Sequence, residues 1–227
     1  MKPSESTCWT VLREAAAGDR PSREAFALRY EPSVRTYLAA RWKGSALIQE
    51  IDDAVQEAFV ECLRDGGGLD RLQPGRPGGF RAFLYGLIRN VALRVEQRWG
   101  RVRQRIEPGP IEAEALPARE EALSRVFDRA WAKSIMRQAA DRQAERASRA
   151  GDAAVRRVEL LRLRFQEGQP IRDIARAWGD DPAVLHREYA KGREEFKAAL
   201  LEVLAFHHPD SPVEVGREAA DLLGLLG

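Results

Sequence analysis

The chain has 227 residues, 44% hydrophobic and 32% charged, a balance that excludes a disordered chain and leaves room for two small domains. Lys and Arg number 37 and Asp and Glu 35, so bulk charge points to no partner and the placement of charge has to decide. No apolar run approaches a membrane span, and the start, MKPSESTCWT, lacks the basic-then-apolar build of a signal peptide; a cytoplasmic protein without membrane insertion is expected. The two cysteines, Cys8 and Cys62, form no zinc-type pair and no disulfide framework, and Cys62 reads as a small buried hydrophobe.

Apolar residues recur at three and four and strand-like alternation is absent, which predicts an all-α chain of two small helical domains joined by a flexible linker. The first helix covers Thr7 to Ala17, capped by Ser6 or Thr7, with Trp9, Leu12 and Ala16 inward and Gly18 ending it. The second opens at Pro21 with the stripe Phe26, Tyr30, Val34 and Leu38, and Pro32 is expected to kink or end it. The third covers Ile51 to Arg64. A segment rich in Gly and Pro, Asp65 to Gly79, forbids helix, and a long fourth helix runs from Phe80 to Arg98. These elements make a first domain over 1–99.

Residues 100–118, with Pro108, Gly109, Pro110 and Pro117, read as the linker. A second domain over 119–206 begins with a helix whose stripe is Leu123, Val126, Phe127, Ala130, Trp131 and Ile135. Its continuation, RQAADRQAERASRAG, reads as a solvated extension. A helix over 153–167 follows, then a short one over 170–178 and a long one over 182–206.

The segment PIRDIARAWGDDPAVLHREYAKGREEF has the build of a helix-turn-helix. Ile171, Ile174 and Trp178 give the first helix its apolar face, and Ala175 is small where the second must cross. Gly179 suits a left-handed turn position, Asp181 caps the next helix and Pro182 opens it. Leu185 and Tyr189 face inward. His186, Arg187 and Lys191 face outward, where Arg can bind guanine twice and either cation can hold phosphate. Asp180 and Asp181 put negative charge near a polyanion, and Glu188 stands where such helices often place an apolar residue. The bland alternative is a helical hairpin with a solvated charged surface.

The strings FALRYEPSVRTYL, DDAVQEAFVECL and FRAFLYGLIRNVALRVEQR resemble region two of the sigma-70 family, and LLRLRFQEGQPIRDIARAWGDDPAVLHREYAKGREEF resembles region four of its compact extracytoplasmic-function (ECF) group. The resemblance implies a sigma factor, with no catalytic residue, metal or cofactor of its own. It implies core RNA polymerase (β and β′ subunits) and promoter DNA as partners, with an anti-sigma factor or other regulator as a further one. Asp53, Gln56, Glu57 and Glu61 would then dock on the polymerase. Arg89, Asn90, Arg94, Gln97 and Arg101 would engage the −10 element, and His186, Arg187 and Lys191 the −35 element. The Asp65 to Gly79 loop would receive a flipped base. Phe83 stands where the family usually has Trp, which keeps an aromatic.

A plain helix-turn-helix regulator that ignores polymerase accounts for 170–200 but leaves DDAVQEAFV and FRAFLYGLIRN unexplained. A metal-dependent hydrolase has only His207, His208, Asp210 and scattered carboxylates in its favour, and neighbouring His residues point to different faces; no nucleophile elbow, P-loop or HExxH string occurs. The tail over 207–227 carries a short helix opened by Ser211 and Pro212, with the stripe Val215, Ala219, Leu222, Leu223 and Leu226. That stripe needs a surface: the preceding helix, the first domain or a partner protein.

Overall fold

The computed structural model describes residues 8–64, 79–106, 116–208 and 211–224. Among the described residues it is all-α, as the sequence predicts: α1 (Cys8–Ala16), α2 (Arg20–Arg41), a 3-10 helix (Ala46–Glu50), α3 (Ile51–Leu63), α4 (Gly79–Ile106), α5 (Leu116–Ala150), α6 (Asp152–Phe165), α7 (Ile171–Trp178), α8 (Pro182–His207) and α9 (Pro212–Gly224). The loop over 65–78, the linker centre over 107–115, the caps Ser6 and Thr7, Asp210 and Leu226 lie outside the described residues, as do the side chains of Trp9 and Leu223. No described helix is long and apolar enough to cross a membrane.

The chain divides into two compact units, Met1–Ser134 and Ile135–Gly227. The sequence places the second domain from residue 119, but the first half of α5 belongs to the first unit. The reason is aromatic. Leu123, Phe127 and Trp131 are buried. Trp131 stacks on Tyr30 with ring centroids 5.7 Å apart, and Phe127 lies 5.4 Å from Tyr85. The sequence shows the stripe and its period, and only packing shows which surface receives it.

The rest of the first core comes from α1, which buries Leu12 and Ala15, and from α2, α3 and α4. Phe26, Tyr30, Val34, Tyr37 and Leu38 meet Ala54, Val55, Ala58 and Cys62, with Phe80, Leu84, Ile88, Val91 and Val95 closing the layer. Burial pushes the Cys62 thiol up to about 12, which fits its reading as a hydrophobe. Asp19 caps α2 by accepting a hydrogen bond from the Ser22 amide at 2.9 Å. Pro32 neither ends nor interrupts α2. The carbonyl its missing N–H leaves free is that of Leu28, whose residue is exposed to solvent.

The second unit has a leaner core. The stretch of α5 that the sequence reads as solvated buries Ala139, Gln143 and Ala147 at four-residue spacing. Gln143 donates to the Gly192 carbonyl at 2.9 Å. An added Cβ at Gly192 would lie 3.4 Å from the Arg157 carbonyl oxygen and from Leu161, so α6 and α8 cross closely there. Leu160, Ile171, Ile174, Ala175 and Leu185 form a cluster joined by Leu163, Trp178 and Tyr189. α9 packs on α8 and buries Val215, Ala219 and Leu222, so its described stripe is covered by the preceding helix. The Ser211 hydroxyl accepts from the Glu214 amide at 3.4 Å, where the sequence puts the cap.

Candidate nucleic-acid interface

α3 buries Ala54, Val55, Ala58 and Cys62 against its neighbours and turns Asp53, Gln56 and Val60 to solvent. Glu57 and Glu61, read from sequence as part of the same outward face, are drawn sideways to α4. Glu57 accepts from Arg98 at 2.7 Å and from Arg94 at 3.2 Å, and Glu61 lies 3.6 Å from Arg94 and 2.7 Å from Arg64. The hydrogen bond from Arg98 holds the Glu57 carboxyl below its usual range against a smaller opposing effect of burial.

α4 carries its polar residues on two faces. Asn90, Gln97 and Arg101 are exposed in one stripe, with Arg94 beside them. Arg101 donates to the Gln97 carbonyl at 3.3 Å. Arg89 departs from this stripe, because a single helical step turns it about 100° from Asn90. It pairs with Glu120 of α5 at 3.0 Å. The same carboxylate takes Arg41 at 2.6 Å, and Arg41 also holds Glu96 at 2.7 Å. Trp42 donates its ring N–H to Glu96 at 2.9 Å, and Arg41 reaches the Tyr37 hydroxyl at 3.1 Å. Arg41 is buried; burial opposes its charge, but Glu96 and Glu120 raise its pKa further above the ordinary value. Burial also works against the Glu120 carboxylate, yet Arg41 and Arg89 carry its pKa below the usual value.

In the second unit, α7 ends at Gly179 with φ 70°, its N–H bonded to the Ala175 and Arg176 carbonyls. The Asp181 side chain then accepts from the Ala183 amide at 2.8 Å and Pro182 opens α8. His186 and Arg187 are exposed on the first turns of α8. Lys191 is exposed too and donates to Glu188 at 2.8 Å. The acids that weigh against an anionic ligand are engaged within the unit. Asp180 pairs with Arg156 at 2.6 Å, whose guanidinium stacks 4.6 Å from the Trp178 ring centroid. Glu188 is bonded by Lys191 and by Arg157, which together hold its carboxyl low.

Among the exposed cations that the sequence reading does not single out are Arg98, Arg172 and Arg176. Arg98 lies one turn past Arg94, a spacing that could have flagged it. Arg172 and Arg176 of α7 are both highly exposed, and their spacing of four carries the same signal. Among the described residues no group of His, Cys, Asp and Glu is arranged to hold a metal ion. His208 instead contacts Glu214 at 3.3 Å and Glu218 at 2.8 Å, tying α9 to the end of α8.

The first unit therefore presents a helix with a polar and basic stripe beside a helix with an acidic and amide-bearing face. Residues 26–103 match the family described as Sigma-70 region 2. This stretch covers α2 from Phe26 on, α3 and nearly all of α4, and over it the chain is similar to that family. Region 2 of sigma factors is the part that binds core RNA polymerase, so the match supports a sigma-factor role in polymerase-directed transcription. No curated protein matches the chain.

Proposed function

We propose that the chain is an ECF-type sigma factor that binds core RNA polymerase and directs promoter-specific initiation, leaving the chemistry to the polymerase. The observation that carries this reading is the Sigma-70 region 2 match over the helices that bear the α3 and α4 polar faces. In this reading Asp53 and Gln56 form the exposed polymerase anchor, with Glu57 and Glu61 at its edge. Asn90, Arg94, Gln97 and Arg101 engage the −10 element, and Arg89 serves there only if Glu120 lets it go. α7 and α8 act as the helix-turn-helix, with His186, Arg187 and Lys191 at the −35 element. Its support is local: a left-handed glycine in the turn, a capped second helix and outward cations at the start of that helix.

The test is run-off transcription with core polymerase and a promoter library. Specific starts that depend on the protein are expected. Equal, unspecific transcription with and without it would refute the proposal. Within that assay, Asp53→Ala with Gln56→Ala should weaken core binding while the circular dichroism stays helical. Arg187→Ala should relax −35 preference, since one base contact is worth about 1–3 kcal/mol.

A further inference from the structure

Two arginines of α4 converge on a single carboxylate of α3. Arg98 reaches Glu57 at 2.7 Å and Arg94 reaches it at 3.2 Å, with Glu61 3.6 Å from Arg94. Glu57 and Glu61 sit at the edge of the exposed α3 face. Arg94 and Arg98 are about half exposed at the edge of the α4 stripe. A carboxylate that saturates two guanidiniums makes them poor phosphate ligands, because DNA must then displace an anion already in place. Conversely, a surface that offers its own cations to Glu57 and Glu61 competes with Arg94 and Arg98. The exchange is easy, since exposed pairs of this kind stabilise weakly.

We propose that Arg98, together with Arg94, is a DNA-phosphate contact that Glu57 keeps occupied in the free protein and that a basic partner surface docking on α3 releases. This rests on the sigma-factor reading for the identity of that partner, the core polymerase. It adds a residue, Arg98, and a coupling: the same two carboxylates serve either the partner or the helix that reads DNA. Docking on α3 then unmasks two cations on α4 without any change of fold.

The experiment is fluorescence anisotropy of a labelled oligo-dT with the full-length protein and no polymerase. Glu57→Gln keeps the shape and removes the charge, and circular dichroism verifies that it folds. It should bind about two- to fivefold more tightly per pair released. Its salt dependence should steepen by about 0.7 per added phosphate contact. Adding Arg98→Ala to Glu57→Gln should cancel most of the gain. Arg98→Ala alone should leave binding by the free protein within about twofold, because that side chain is already taken. A Glu57→Gln protein that folds and binds no better overturns the proposal. So does an Arg98→Ala protein that loses as much affinity alone as it does beside Glu57→Gln. Should the Gln variant fail to fold, Arg98→Ala still decides: it must spare oligonucleotide binding by the free protein and weaken binding by its complex with core polymerase, and either opposite result overturns the idea. Failure of the sigma-factor reading shows separately, as wild-type protein that supports no specific run-off.

Discussion

The two candidate DNA-facing surfaces use ion pairs in opposite senses. On α4 a carboxylate occupies the cations: Glu57 holds Arg98 and Arg94. Around the start of α8 a cation occupies each carboxylate: Arg156 holds Asp180 ahead of the helix, and Arg157 holds Glu188 within it. The first surface is therefore less attractive to phosphate than its arginines suggest, and the second less repellent than its acids suggest. Charge on a surface counts only after internal pairs are subtracted, and breaking a pair should move DNA affinity up in one unit and down in the other. The interiors differ as well. The first unit is built on interlocked rings and one buried cation, the second on alanines, leucines and a close helix crossing at Gly192.

The largest effects should therefore come from the first unit's interior. Trp131→Ala removes a ring that is 3% exposed and stacks on Tyr30, and should cost about 3–5 kcal/mol in urea unfolding. A loss below about 1 kcal/mol would mean that the first half of α5 does not belong with the first unit. Arg41→Ala should follow at about 3 kcal/mol, the low end for breaking a buried pair, because Glu96 and Glu120 keep some contact with solvent. Adding Glu120→Gln should recover part of it, since one stranded carboxylate is then gone. No recovery would show that the network acts through packing alone.

What the sequence made legible was local. The caps at Asp181 and Ser211, the glycine turn at 179 and the helix spans all follow from residues within a few positions of one another. The Asp19 cap is not among the expected ones, although an Asp ahead of Pro21 and Ser22 carries the same local signal. What escaped was partnership at a distance. Glu57 and Arg94 are 37 positions apart, and Arg89 and Glu120 are 31. A helical wheel places each on a face without saying what lies across from it. Arg89 is thus expected among the −10 contacts and stands against Glu120. Ala139, Gln143 and Ala147 read as solvated because each is small or polar, the very property that lets α5 lie close to a neighbour.

A smaller effect is expected where α6 and α8 cross at Gly192. Gly192→Leu must push side-chain atoms into Arg157 and Leu161 and should cost about 1–3 kcal/mol by overpacking. Gly192→Ala should be near neutral. The gain in helix propensity, about 1 kcal/mol, is set against contacts of 3.4 Å that are only slightly tight. If Leu is tolerated as well as Ala, the crossing is looser than the distances imply.

The smallest expected change in stability tests the contrast between the two surfaces most directly. Arg156 is 50% exposed in its side chain and Asp180 26%, so solvent screens the pair and it contributes about 0.2–1 kcal/mol. Its stacking on Trp178 adds about 0.5–1 kcal/mol. Arg156→Ala should therefore shift the urea midpoint only slightly. Its effect on DNA should be disproportionate. Asp180 sits two residues before α8 begins and would carry its full charge toward the phosphates that His186 and Arg187 are proposed to approach. Binding to a −35 duplex should weaken at low salt. The deficit should shrink as salt rises, because the Debye length falls from about 10 Å at 0.1 M to about 3 Å at 1 M. Arg156→Ala with Asp180→Asn should restore binding, since neither charge remains. A purely structural role for Arg156 predicts no rescue by Asn and the same deficit at every salt concentration. The matching change in the first unit, Glu57→Gln, should move affinity the other way. Two substitutions of comparable size and small cost in stability would thus shift DNA affinity in opposite directions, Glu57→Gln on the oligonucleotide and Arg156→Ala on the −35 duplex, and two shifts of the same sign would end the comparison.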